Sequence, residues 1–290
     1  MSDLPQKTES YLGTITDTSR WQNFRHRPDD IFICTPPKCG TTWTQAICAM
    51  LVFGRIDHGQ QPGLISPWID ANFAPIEAYL TQIDQQTHRR FIKTHTPLDG
   101  IPYYPECTYL VVCRDPRDAY FSGLNHRDNL NDPTLAALFP SGQDSFHDWL
   151  YTVQEAGTWD QQTLDSFAHF VRSYWQYRDL PNLHLFHYTD MRHDLLKAVT
   201  SMADVLGVEY DANTLNNFAN AASFESMKNR PAQFAPESGT GMWKAEAKFF
   251  ASGSVRQWEG QLSDRELALF NTRINNLLPP DAVNWLLKKA

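Results

Sequence analysis

Residues 31–43 run Ile31-Phe32-Ile33-Cys34-Thr35-Pro36-Pro37-Lys38-Cys39-Gly40-Thr41-Thr42-Trp43, an apolar tetrapeptide that breaks into a turn carrying Lys, Gly and Thr. The first four residues are of strand length, and Thr35-Pro36-Pro37 ends them. From Thr41 the pattern turns helical, with Trp43, Ile47, Met50 and Leu51 at three- and four-residue steps. Residues 31–53 therefore read as strand, loop and helix. A helix N-terminus presents unpaired N–H groups and a partial positive charge, which suits a phosphate. Gly40 lets the backbone approach closely, Lys38 supplies a full charge, and Thr41 and Thr42 supply hydroxyl donors. Together these favour a phosphate loop over a turn that merely caps a helix. The loop is not a Walker A motif, which needs two glycines separated by four residues and a Lys directly before Ser or Thr. Here Lys38 precedes Cys39-Gly40.

Outward from this loop the same alternation recurs. Phe91-Ile92-Lys93 is a second short strand, followed by Thr94-His95-Thr96-Pro97. Tyr109-Leu110-Val111-Val112-Cys113 is a stronger one, continuous as expected when both faces are covered. It leads into Arg114-Asp115-Pro116, where Asp115 suits an N-cap and Pro116 the first helical position. Residues 161–180 predict a helix with Leu164, Phe167, Phe170, Val171, Tyr174 and Trp175 on one face, ended by Pro181. Leu183–Phe186 is a further strand, and Leu195, Leu196, Val199, Met202 and Leu206 mark a helix closed by Gly207. This order predicts a three-layer α/β fold, its mostly parallel central sheet flanked by helices. Ligands bind such sheets beyond the carboxyl ends of the strands, where these polar loops fall.

The 290 residues are 42% hydrophobic and 20% charged, enough for one substantial core. No linker or repeat divides them, so 1–290 reads as a single domain with an N-terminal segment, 1–28, ahead of the first strand. Residues 228–256 mix Gly, Pro, Ser and Lys with scattered aromatics and read as a flexible lid over the site. The net charge of −8 argues against nucleic acid as a partner, while a local convergence of cations could still hold a nucleotide. Met1 to Ser10 contains no apolar stretch of the signal-peptide kind, and no apolar run approaches the roughly 20 residues of a membrane span. Five cysteines without a C-x-x-C pair suggest reduced, mostly buried thiols and a cytoplasmic location.

Pro37-Lys38-Cys39-Gly40-Thr41-Thr42-Trp43 resembles the Pro-Lys-Ser-Gly-Thr-Thr-Trp loop of cytosolic-type sulfotransferases that use 3′-phosphoadenosine 5′-phosphosulfate (PAPS), with Cys39 in place of Ser. Phe91 to Leu98 is similar to that family's segment carrying the catalytic base. Arg114 and Ser122 have the family's eight-residue spacing for binding the 3′-phosphate. Phe186 to Met191 looks like its Tyr-x-Asp-Met segment, and Ser223 to Met227 like its purine-holding segment. The resemblance runs from about residue 31 to 260. Within the family, Phe91 to Gly100 and Ser66-Pro67-Trp68 look closest to bacterial glycolipid sulfotransferases of the mycobacterial kind.

The resemblance implies a P-loop-NTPase-like sulfotransferase fold and transfer of a sulfuryl group from PAPS to a hydroxyl of a phenol, alcohol or glycolipid. It makes His95 the general base, with Lys93 and Lys38 stabilising charge and no metal required. Lys38, Cys39, Gly40, Thr41 and Thr42 would hold the phosphosulfate, and Arg114, Ser122 and Gly253 the 3′-phosphate. Trp43, Tyr188 and Phe224 would enclose the adenine. The clearest departure lies near the C-terminus, where the family shows Arg-Lys-Gly-x-x-Gly-Asp-Trp-Lys. Aligned on Gly253 and Trp258, this chain reads Ala251-Ser252-Gly253-Ser254-Val255-Arg256-Gln257-Trp258-Glu259. The family's phosphate-binding Arg is gone, leaving Arg256 and Lys248 as candidate replacements. The family's dimer motif is absent after Trp258, so the oligomeric state stays open.

Trp68, Phe73, Tyr103, Tyr104, Phe146, Trp149, Met242 and Trp243 suggest an apolar pocket for a small or lipid-like acceptor. His126 reads as a helix-face residue. Cys39, at a helix N-terminus, could have a lowered thiol pKa and be open to oxidation. Two alternatives remain at this point. A nucleotide kinase or hydrolase would want an acidic residue, not Arg114, at the end of its best strand. A non-catalytic bisphosphoadenosine-binding protein fits the altered 251–259 segment but not the Lys38, Lys93 and His95 set.

Overall fold

Ile31–Cys34 (β1) lies second in a four-stranded parallel sheet. On one side it pairs with Phe91–Thr94 (β2), and on the other with Thr108–Cys113 (β3), which pairs in turn with Leu183–His187 (β4). The order is β2–β1–β3–β4, all parallel, in a computed structural model that describes residues 4–236, 238–250 and 253–288. The register sets Cys34 beside Thr94 and Cys113 beside His187, so the chain leaves all four strands along one edge. A separate parallel pair joins Leu12–Gly13 to Thr158–Trp159.

Alternate residues of each strand face opposite layers. Phe32, Ile92, Tyr109 and Val111 pack toward Leu164–Trp175 (α3) and Asp264–Leu277 (α6), through Phe167, Phe170, Tyr174, Phe270 and Ile274. Ile31, Ile33, Phe91, Leu110 and Val112 pack toward Thr41–Phe53 (α1), Leu195–Leu206 (α4) and Ala212–Ala221 (α5). Helices thus cover both faces of a parallel sheet, as the alternating pattern predicts. Asp115 caps Pro116–Asn129 (α2) by accepting from Arg117 N–H, and Gly207 closes α4 at φ 64°. All five cysteines are free and buried. No helix among the described residues is long and apolar enough to cross a membrane.

The helix expected over 161–180 is shorter at both ends. Thr163 and Ser166 form a reciprocal cap that starts α3 at Leu164. At its other end, Gln176 to Leu180 form turns, so the helix stops well before Pro181. Segment 1–28 contributes core, with Tyr11, Trp21 and Phe24 buried. Within 228–256, the single turn Glu246–Phe249 lies against α2 and the turn Pro231–Phe234 against Pro62–Ile65, and Phe234, Trp243 and Phe250 are buried. Lys244 N–H donates to Asn129 O, and Asn131 N–H to Met242 O. Glu237, Ala251 and Ser252 of this proposed lid lie outside the described residues.

At the opposite edge of the sheet, Arg90 and Asp30 form a fully buried pair. Arg90 Nε donates to Asp30 Oδ1 at 2.7 Å and Nη2 to Oδ2 at 2.5 Å, with side chains 1% and 0% exposed. Arg90→Ala would strand the Asp30 carboxylate in the core, and loss of one partner of such a pair costs about 3–5 kcal/mol. Urea denaturation should show that loss; a change below about 1 kcal/mol would mean the pair behaves as if exposed to solvent.

Candidate active site

A cavity of about 360 Å³ opens at the carboxyl edge of the sheet. Its floor is the turn between β1 and α1, where Thr35 and Thr41 hydroxyls bond at 2.6 Å and Thr44 Oγ1 donates to Gly40 O at 3.0 Å. The turn needs left-handed backbone at two positions, Lys38 (φ 67°) and Gly40 (φ 102°). A Cβ on Gly40 would sit 3.1 Å from the Tyr188 ring, so glycine also serves close packing there. Lys38, Gly40, Thr41, Thr42 and Trp43 all line the cavity.

Cys39 does not. Its side chain is fully buried, and its Sγ lies 3.7 Å from Pro37 O. Burial pushes the thiol up to about 12, against the lowering that a helix N-terminus alone suggests. The expected oxidation-sensitive thiol is therefore corrected to a core residue.

Arg114, at the end of β3, is 3% exposed. Its guanidinium lies 4.4 Å from the centre of the Tyr188 ring and donates to Lys38 O and Ser254 O at 3.4 and 2.6 Å. Arg114 Nε is buried without a hydrogen bond, 3.7 Å from Asp118 Oδ2. Ser122, Tyr188 and Phe224 line the cavity with it. Trp43 is fixed by donation from Nε1 to Ala222 O at 2.8 Å. Gly253, at φ 58°, passes so near Phe224 that a Cβ would lie 2.3 Å from the ring. Arg256 is a correction: it does not line the cavity, its guanidinium lying 3.6 Å from Glu259 while its N–H donates to Asp118. Lys248 and Gln257 do line it.

His95 follows β2. Its Nδ1 lies 2.8 Å from Thr35 O, and only a protonated Nδ1 can bond a carbonyl. That tautomer leaves Nε2 with a free lone pair. Burial first, then the Lys93 and Lys38 ammonium groups, push His95 down to about 3. Thr94 and Thr96, on either side, donate their hydroxyls to buried Asp70 Oδ2 at 2.7 and 2.6 Å. Lys93 Nζ lies 4.8 Å from the Trp68 ring centre, and Trp68 meets His95 edge-on at 4.7 Å. Lys38 Nζ lies 2.8 Å from His126 Nδ1, and burial, reinforced by Arg114, pushes its ammonium down to about 7.

Of the eight aromatic and Met residues expected in an acceptor pocket, Trp68, Phe73, Met242 and Trp243 line the cavity. The other four lie elsewhere, Phe146 and Trp149 in the core and Tyr103 and Tyr104 half-buried against it. Tyr103 stacks on Tyr109 and Tyr104 on His26, while Phe146 and Trp149 pack around Tyr120. Leu135, Leu138 and Phe139 complete the apolar wall, with Gln82, Asn125 and Gln162 among them. His126 and Arg192 also face the cavity and were not singled out as site residues from sequence. His126 lies one helical turn after Ser122, which was the available signal.

The sequence pattern of the sulfotransferase domain matches residues 28–278. The chain belongs to the sulfotransferase family. The glycolipid sulfotransferase of Mycobacterium bovis is 33% identical to it over 303 residues, covering 95% of this chain and 93% of that protein. Human sulfotransferase 1C2 is 23% identical, covering 95% and 92% of the two chains. In fold, the sulfotransferase matches the mouse sulfotransferase SULT7A1 complexed with PAP at a TM-score of 0.73, with 21% identity over 97% and 98% of the chains. It matches a retinol dehydratase complexed with androsterone and PAP at 0.71, with 21% identity over 89% and 83%. Family and α/β fold are those the loop resemblance implies, and the kinase alternative falls away.

His95 of the sulfotransferase should remain neutral from pH 8 down to pH 5. Its ring-carbon NMR resonance is expected not to move across that range, whereas a midpoint near the ordinary 6.5 would show an imidazole open to water.

Proposed function

We propose that the sulfotransferase takes its sulfuryl group from PAPS and delivers it to a hydroxyl of a small or lipid-like acceptor, with His95 as general base. The observation that carries the reading is the His95–Thr35 bond, which leaves Nε2 as a proton acceptor among the cavity's lysines. The residues also fit an anionic nucleotide. Arg114 Nε is a buried donor without a partner, and Gly40 and Gly253 keep the backbone bare beside Tyr188 and Phe224. The PAP named with the mouse neighbour and the glycolipid named with the mycobacterial relative support donor and acceptor class respectively.

PAPS supplies, when bound, an activated sulfuryl group. Lys38 and the N–H groups opening α1 would hold the sulfated end, and Arg114 and Ser122 the distant phosphate. Trp43, Tyr188 and Phe224 offer aromatic surfaces for the purine. His95 Nε2 would take the acceptor's hydroxyl proton, with Lys93 stabilising charge beside it. The apolar wall suits a hydrocarbon portion of the acceptor, while Gln82, Asn125 and Gln162 suit further hydroxyls. The free thiols favour the cytoplasm as its compartment.

His95→Ala is expected to bind 3′,5′-bisphosphoadenosine with near-normal affinity by calorimetry and to lose turnover by about 10²–10⁴-fold. Transfer at the wild-type rate would end the general-base assignment. Turnover should also withstand excess chelator, because Lys38, Lys93 and Arg114 supply the charge stabilisation; inhibition reversed by a divalent ion would contradict this.

A further inference from the structure

Lys38 would act on the donor only if its flexible four-carbon stem is held in place. The structure supplies a partner from α2. His126 Nδ1 lies 2.8 Å from Lys38 Nζ, one helical turn beyond Ser122 and on the same cavity wall. The imidazole is itself fixed by rings on three sides: Trp243 at 4.9 Å, Phe139 at 5.2 Å and Phe249 at 6.2 Å between centres. Phe249 also lies 5.2 Å from Lys38 Nζ, so the ammonium sits between an imidazole nitrogen and an aromatic face.

An ammonium has donors only, so Nδ1 must accept and the His126 proton resides on Nε2. The surroundings keep His126 neutral. Burial, then Lys38, His95 and Lys93, hold it well below the usual histidine range. Around Lys38 itself stand Arg114 from the end of β3 and Cys39 from the turn; Lys248 lines the cavity from the 246–249 turn. Burial and Arg114 oppose the ammonium, and Cys39, held protonated, adds no compensating charge at neutral pH.

We infer that His126 is a positioning residue for the transfer reaction: its Nδ1 accepts a hydrogen bond from Lys38 and fixes that side chain at the cavity wall. The inference rests on the reading that Lys38 binds the donor. It adds a residue of α2 to the phosphosulfate site and ties the turn holding Lys38 to the aromatics of segment 228–256. The sign of the pH effect follows. Lys38 works as an ammonium, so donor kcat/KM falls as pH rises through its pKa of about 7. Removing the acceptor removes stabilisation of the charged form, so this alkaline limb moves to lower pH.

The test compares H126N, whose side-chain oxygen reaches the place of Nδ1, with H126Q and H126F, which leave that place without an acceptor. The readouts are the NMR titration of Cε-labelled Lys38 in the unliganded protein and the pH profile of donor kcat/KM. H126N should keep the wild-type Lys38 midpoint and a kcat within about threefold. H126Q and H126F should show the midpoint lowered by about one unit and kcat reduced about tenfold or more. An unchanged Lys38 midpoint in folded H126F, or an H126N as impaired as H126F, overturns the inference. Binding of bisphosphoadenosine to wild type, measured separately, tests the donor reading: binding with an unchanged H126F midpoint sinks only the role of His126. No binding sinks the donor reading and, with it, the catalytic meaning of the pair.

Discussion

The hydrogen bond from His95 Nδ1 to the carbonyl of Thr35 joins the first residues beyond two neighbouring strands, and much of the site depends on it. It exists because β1 and β2 are parallel and in a register that sets Cys34 beside Thr94. A slip of one residue would turn the histidine to the other face of the sheet. The bond also decides the chemistry of the ring, since an Nδ1 committed to a carbonyl leaves Nε2 as the free nitrogen. Asp70 reinforces the arrangement from below by accepting from Thr94 and Thr96, which fixes the backbone on both sides of the histidine. Position and tautomer of His95 thus follow from strand pairing rather than from anything in the loop alone.

The same edge gathers cations, and each of three of them lies over a ring: Lys38 over Phe249, Lys93 over Trp68 and Arg114, which also lies 3.7 Å from Asp118, over Tyr188. Such contacts are worth about 0.5–2 kcal/mol, enough to hold a cation in a partly desolvated site. They are weaker than a charge-assisted hydrogen bond to a phosphate or sulfate oxygen. On the proposed reading, a donor's phosphate or sulfate oxygens would displace these aromatic partners at little cost.

How much of this was legible in the sequence varied with the kind of interaction. The sheet strands were readable because each is a continuous apolar run with both faces covered, and the turns after them because Pro, Gly and Asp punctuate them. The α3 boundaries are less legible, because Pro181 marks a possible terminator while the chain leaves helical geometry already after Trp175. The loop motif placed Lys38, Gly40, Thr41 and Thr42 around the cavity, but the direction of the Cys39 side chain depends on packing behind the turn. Tyr103, Tyr104, Phe146 and Trp149 pack in or against the core instead, because aromatic spacing alone does not distinguish a cavity wall from a layer interface. His126 reads only as a helix-face residue for a related reason: its partner is a side chain 88 residues away.

The altered segment after residue 250 is where family pattern and structure inform each other most. Asp118 accepts from the N–H groups of Arg256 and Gln257 at 2.8 and 2.6 Å, and Arg114 lies beside it. A carboxylate so near the proposed phosphate site would repel an anionic ligand if its oxygens were free. Here both oxygens are occupied by backbone donors, and burial raises the carboxyl above its ordinary range, so its opposition is reduced. The arrangement makes Asp118 an anchor for the segment. It also directs the Arg256 side chain outward to Glu259 while Gln257 turns to the cavity. Of the two candidate replacements for the family's arginine, Lys248 lines the cavity and Arg256 does not.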